Sequence, residues 1–546
     1  MCLHPRPIDA IPPETARVAH AAFPHGSPYI RLRETFGPLF MDTDFADLYP
    51  GCGQPAYSPA RLALILCLQF AEGLSDRQTV TAVRARIDWK YALSLPLDDP
   101  GFDPSVLSEF RDRLVAADAV DRLLTPLLER CKAAGILKPR GKQRTDATHV
   151  LAAIRRLNRV ELVGETLRHA LEVLAAEAPD WLGVHAQLAW AERYAQRSEE
   201  YRMPKGEAKR RALVEQMGAD GRAVLAALAA PETPTALRAL PAVITLQTVW
   251  AQEFEEETGR WRENERLPPG GQLRVSPYEE DARWGAKRGM GWPGYKVHLT
   301  ETCDAEQPHL IVHVTTTPAA VPDRQILAPL QQQLAAQELL PATHLVDSGY
   351  LSTAAILAAR PFGIDLVGTI QRGTKWQTRA GAGYGTGNFV VDWVHETVTC
   401  PQGHQGGRWR HLWHKGQEQI AVKFPAATCR ACPVRSSCTR SATAPRTITL
   451  LAPPAGPALE AARARQQTAA FAETYRARAG IEGTISQAVR RAGIRRARYR
   501  GLDRVHLEHV AVAAALNLLR LDHYLTGAPP ARTRTSRLSA LLTPAA

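Results

Sequence analysis

The chain has 546 residues, 45% of them hydrophobic and 22% charged, with a net charge of +12. That is the profile of a folded protein of roughly three or four ordinary domains, and its basic excess suits a polyanionic partner. The purely apolar runs are short, Leu62 to Leu68 for example, and fall far below the ~20 residues of a spanning helix. The proline-rich start has no apolar signal core, so the reading is cytoplasmic with no membrane. The nine cysteines are then read as reduced, and any cluster among them as metal-binding or inert before disulfide-bonded.

Residues 1–140 read as helical. Ser58-Pro59 pairs an N-cap with proline at the first helical position, and Gly73 marks the stop. Ser75-Asp76 and Asp103-Pro104 open two further helices. This domain suits a helix-turn-helix-like DNA module and an ordinary bundle equally well. A strand is predicted across 144–154. A helical insertion follows over 155–269. Strands return with GYKVHLTET from 294 and HLIVHVTTT over 309–317. Next come a helix from Asp323 to Gln337, the strand of HLVDSGY, a short helix to Ala359 and a strand at 364–370.

With the insertion set aside, three strands precede alternating helix and strand. This order predicts a mixed α+β chain with a ribonuclease-H-like core formed by residues 141–154 and 270–370. Residues 371–457 read as an irregular, cysteine-containing insertion. Basic helices are expected over 458–525, and a loose tail over 526–546.

Phosphodiester chemistry by two Mg²⁺ ions needs carboxylates brought to one point on rigid elements. Three acids meet that need. Asp146 lies in the first core strand, and Asp347 ends a buried strand, where an unpaired carboxylate is costly. Glu482 shares a helix face with Tyr475 and Arg478. Taken singly, each has a plain reading: a strand-edge cap, a turn residue, a surface acid. Their joint appearance in the right strand order favours a metal site.

The second constellation is Cys400, Cys429, Cys432 and Cys438, with His404 as a spare ligand. Four thiolates, or three and His404, make a closed tetrahedral zinc site; an iron–sulfur cluster and free thiols remain alternatives. Arg490, Arg491, Arg495, Arg496 and Arg498 form a phosphate-binding strip, set against a solvated helix face. The segment with Arg283, Trp284, Lys287, Arg288, Trp292, Tyr295 and Lys296 mixes cations with flat rings. It can clamp bases with Trp292 and Lys296, or its rings can anchor it to the sheet.

The chain resembles the DDE transposases of bacterial insertion sequences, in the group with an InsH-like N-terminal domain. The likeness rests on SPARLALILCLQFAEGLSDRQ (58–78), TDATHV (145–150), DARWGAKRGMGWPGYKVHLTET (281–302), HLVDSGYLS (344–352) and YRARAGIEGTISQAVRRAGIRRARYRG (475–501). Tyr475, Arg478 and Glu482 match the family spacing. The basic residue expected next departs from it: Val489 stands there, and arginine follows at Arg490 and Arg491.

The resemblance implies that Asp146, Asp347 and Glu482 hold two Mg²⁺ (or Mn²⁺) ions. It implies hydrolysis at the transposon end, then attack of the freed 3′-hydroxyl on target DNA. Tyr475 and Arg478 are implied to position phosphate. The partners implied are double-stranded DNA, both element ends and target, with a dimer at synapsis and a nucleoid-associated location. A ribonuclease-H-like nuclease without strand transfer is the alternative enzyme. A transposase-derived DNA-binding protein is the non-enzymatic one.

Overall fold

The computed structural model describes residues 2–199, 203–287, 289–370, 376–379, 383–414, 416–527, 537 and 541. Most of the predicted tail, and Arg288, lie outside them. The chain is a mixed α+β protein around one mixed sheet. Its strands are β1 (Arg140–Leu151), β2 (Arg283–Lys287), β3 (Met290–Thr302), β4 (Ile311–Pro318), β5 (Pro341–Val346) and β6 (Asp365–Gly368).

β3 is antiparallel to β1 on one edge and to β4 on the other, while β1, β5 and β6 are mutually parallel. The order across the sheet is therefore β4-β3-β1-β5-β6, with short β2 paired to the beginning of β3. Parallel strands need long crossovers. Here the helix Leu327–Ala336 precedes β5, and Thr353–Ala359 lies between β5 and β6.

The N-terminal helices form where the caps foretell. Ser58 Oγ accepts from the Arg61 amide, and Gly73 ends the helix Pro59–Glu72 in the left-handed region, at φ 69°, where glycine carries no steric cost. Ser75 and Gln78 form a reciprocal capping box on Asp76–Ala85. The helix Pro59–Glu72 is buried around its circumference, against the C-terminal helices Gly480–Ala492 and Leu502–Leu525. That leaves it no free face for a DNA groove. One apolar core runs from Phe45, Leu66 and Phe110 through Val297 and Val314 of the sheet to Ile481 and Leu516.

Residues after β1 build a separate helical cluster. Asn158 caps Arg159–Glu177 through a capping box with Glu161. Val163, Leu167, Leu246 and Trp250 meet in a core of their own. Between β6 and the C-terminal helices, two small sheets appear where the sequence reads as irregular. They are β7 (Val390–Asp392) with β8 (Thr397–Thr399), and β9 (Arg410–His414), β10 (Gln417–Lys423) and β11 (Thr447–Leu451). Phe389, Val398, Ile420, Val422 and Ile448 fill the space between them. No helix among the described residues is long and apolar enough to cross a membrane.

Candidate active site

Strand register brings the first two acids together. Thr145 of β1 is level with Val346 of β5 in a parallel pair. Asp146 and Asp347 are the next residues on each chain, so they stand side by side at the centre of the sheet. Asp347 falls one residue past the end of β5. Its Oδ1 accepts from the Gly349 amide at 2.8 Å, which fixes the turn. Asp146 is 8% exposed, and its Oδ1 accepts from the Ala147 amide at 2.7 Å.

The third acid arrives through Arg478. The guanidinium donates from Nη2 to Asp146 Oδ2 at 2.6 Å and from Nη1 to Glu482 Oε1 at 3.1 Å. Burial pushes the Asp146 carboxyl above its ordinary range, Arg478 draws it back, and the neighbouring charge of Asp347 adds to the rise. Burial works against the charge of Arg478, yet Asp146, Tyr475, Asp347 and Glu482 together hold it more firmly protonated than a free arginine.

Glu482 sits in the first turn of the helix Gly480–Ala492. The sequence predicts Tyr475, Arg478 and Glu482 on one helix face; the backbone stays in the helical region throughout and tightens for a single turn. Tyr475 lies in Ala469–Arg476, Arg478 in the tight turn Ala477–Ala479, and Glu482 in Gly480–Ala492. Arg144 packs against that turn. Its Nη1 donates to the Ala477 carbonyl, and a Cβ on residue 480 would lie 2.1 Å from Nη1. A side chain at 480 would have to displace that guanidinium.

Arg144 belongs to a buried network that sequence reasoning missed. Glu301 on β3 is fully buried. It accepts from Arg144 Nε at 2.7 Å, from Arg520 Nη1 at 2.8 Å and from the Thr484 hydroxyl. Arg520 Nη2 also donates to Thr484 Oγ1 at 2.7 Å. One carboxylate thus ties β1, β3, the Glu482 helix and the last helix together. The readable signal was an acid within the predicted strand GYKVHLTET.

Behind the acids, His298 Nδ1 and the Tyr350 hydroxyl lie 2.5 Å apart. Burial pushes His298 down to about 4, so it stays neutral. Lys296 is ion-paired to Asp323 at 2.7 Å and donates to the Val321 carbonyl. Trp292 is 3% exposed, with its indole N–H on the Tyr295 carbonyl. Neither side chain is free to clamp a base. Trp292 instead packs where β2 and β3 pair, in keeping with the anchoring alternative.

Arg490, Arg491, Arg495 and Arg496 are exposed at the end of the Glu482 helix and just beyond it. Arg495 reaches Thr148 of β1 at 2.9 Å, which places the strip beside the acids. Arg498 is partly spent on the Leu74 carbonyl and the Phe70 ring.

Cys400, Cys429, Cys432, Cys438 and His404 all line one cavity of about 30 Å³. Burial raises the Cys438 thiol, and the other three cysteines add to the rise. Cys400, Gly403 and His404 form a tight knuckle, with the Cys400 amide on the His404 carbonyl at 2.8 Å. Among the described residues, no three His, Cys, Asp or Glu side chains stand close enough to hold an ion as they are placed.

A sheet carrying paired aspartates, with a basic strip beside them, is the equipment of a protein that works on nucleic acid. Two family profiles match this chain, and both describe transposases. Residues 17–113 match "Transposase domain (DUF772)", and residues 399–522, which include Glu482 and the cysteine cluster, match "Transposase DDE domain". These two matches support a DDE transposase of the insertion-sequence type, and neither spans half of the chain. No curated protein matches it.

Proposed function

We propose that the chain cuts DNA at the ends of its element and joins the freed 3′-hydroxyls to target DNA, using Asp146, Asp347 and Glu482. The observation that carries this is the in-register placement of Asp146 and Asp347, with Glu482 joined to them through Arg478. The strand order β4-β3-β1-β5-β6, two antiparallel pairings followed by two parallel ones, supports a ribonuclease-H-like core. Two adjacent carboxylates that already attract a cation are the donor set a hard divalent ion prefers. Mg²⁺ or Mn²⁺ bound there would supply a reactive hydroxide and stabilise charge on the scissile phosphate.

The chain's own residues do the rest. Asp146 and Asp347 present two anionic oxygens from rigid strands. The Glu301 network fixes the helix that presents Glu482. Arg490, Arg491, Arg495 and Arg496 bind the DNA backbone next to the acids, and Tyr475 and Arg478 face the scissile phosphate. Two protomers meet when two ends are synapsed.

The test is incubation of the full-length protein with a plasmid carrying the element's two ends, in Mg²⁺, Mn²⁺ or EDTA. Metal-dependent cleavage at the ends with products joined to target DNA is the expected result. Cleavage without joining would favour a plain nuclease. End binding without cleavage in either metal would favour a DNA-binding derivative.

The cysteine cluster is proposed to hold a structural Zn²⁺ ion that draws the four thiols across their cavity. Support comes from the shared cavity, the mutual influence of the thiols and a small apolar core that gains from a staple. Protein purified without added metal should carry about one zinc per chain, by elemental analysis, and Cys432→Ser should lose it. Visible absorption with iron would point to a cluster, and four thiols freely titratable in the native protein would sink both.

A further inference from the structure

Arg478 occupies the middle of the acidic site, and its position has a consequence for how the site is loaded. Its guanidinium is 2.6 Å from Asp146 and 3.1 Å from Glu482, and its side chain is only 15% exposed. It therefore sits where an ion bridging those two carboxylates would sit. A cation of one kind excludes another there by repulsion and by volume. The same residue explains why the three acids do not stand at ion-holding distances: Glu482 is held to the guanidinium rather than to the aspartates.

Arg478 is also incompletely satisfied. Its Nε is buried and has no hydrogen-bond partner, and such a group costs free energy until an acceptor arrives. The turn Ala477–Ala479 that carries it is fixed from behind by Arg144 on the Ala477 carbonyl. The side chain can thus move while its backbone stays.

We infer that Arg478 is an internal cation that keeps the carboxylates closed to divalent metal until a DNA phosphate draws it away. This rests on the site proposed above. A phosphate can take an arginine fork with two parallel bonds, as a carboxylate can, and it offers a further oxygen to the Nε that has no partner here. DNA binding would release Asp146 and Glu482 together, so metal and DNA would each raise the other's affinity by the same factor. The site would then be competent for cleavage only with substrate in place.

The experiment is titration of Mn²⁺ alone against full-length protein, with free Mn²⁺ read by electron paramagnetic resonance. Wild type, Arg478→Gln and Arg478→Lys are compared, each with and without a duplex of the element's end, and folding is checked by thermal melting. Without DNA, Arg478→Gln should bind Mn²⁺ roughly tenfold more tightly than wild type, within the usual range of coupling between sites. Arg478→Lys should fall between. The gain in Mn²⁺ affinity on adding DNA should be large in wild type and much smaller in Arg478→Gln.

Equal or weaker Mn²⁺ binding in Arg478→Gln without DNA would overturn the inference. Adding Asp146→Asn to Arg478→Gln separates this from failure of the site itself. If that double variant binds Mn²⁺ as well as Arg478→Gln, Asp146 is not a ligand and the site reading fails. If the glutamine variant does not fold, the lysine variant carries the comparison, and Mn²⁺ binding no tighter than wild type would count against the latch.

Discussion

Asp347→Asn is expected to lower end cleavage by ~10²-fold or more, the scale seen when one group that stabilises transition-state charge is removed. It should leave the fold intact. Asparagine keeps the oxygen that accepts from Gly349, so the turn after β5 survives. It loses only the negative charge, and that charge repels Asp146 in the next strand. Thermal stability should stay the same or rise slightly. The measurement is cleavage of labelled end duplex in Mg²⁺ and Mn²⁺, with melting temperature and end binding followed on the same preparation. Unaltered cleavage would remove Asp347 from the site. Lost cleavage with lost folding would say nothing special about chemistry, which is why asparagine serves better here than alanine.

Glu301→Ala is expected to be the most destabilising single change in the core. It leaves Arg144 and Arg520 buried with no opposing carboxylate, and breaking a buried pair in this way costs about 3–5 kcal/mol. Whole domains are stable by only about 5–15 kcal/mol. Two helices and two strands lose their common anchor, so Glu482 should lose its place as well. The check is urea unfolding, with Glu482→Ala as the control. Glu482 has a side chain 67% exposed, so its removal should abolish cleavage while moving stability by well under 1 kcal/mol. A Glu301→Ala loss below about 1 kcal/mol would mean that the network relaxes or admits water.

Much of the sheet was readable because β3, β4 and β5 carry alternating or largely apolar and β-branched residues bounded by turn signals. Asp146 and Asp347 stood out for a related reason: each is a charge that such a strand must account for. Glu482 was reached through its spacing from Tyr475 and Arg478 on one helix face. The tight turn Ala477–Ala479 is held by Arg144, 333 residues from Ala477 in sequence, and no local pattern carries such information. The same holds for Glu301, whose partners Arg144 and Arg520 lie 157 and 219 residues away.

The segment of β2 and the start of β3 was read two ways, as a base clamp or as rings anchored to the sheet, because Trp284, Lys287 and Trp292 suit either by composition. A Cβ at Gly285 would lie 2.6 Å from the Trp292 ring. That bare backbone gives the indole a buried seat, which composition cannot reveal. The small sheets between β6 and the last helices were missed because their strands are only three to seven residues long and bury few side chains.

The contact between Asp146 and Arg478 spans 332 residues, with two inserted units between them. At ~5–20 residues per second, a ribosome takes roughly 15–65 s to travel from one to the other. During that time the aspartate strand is complete but has no third carboxylate and no guanidinium. Until Glu482 has been made, a nascent chain therefore lacks part of the proposed site. An interrupted product that ends after Asp347 and before Glu482 would keep the N-terminal helices and both aspartates without the third acid.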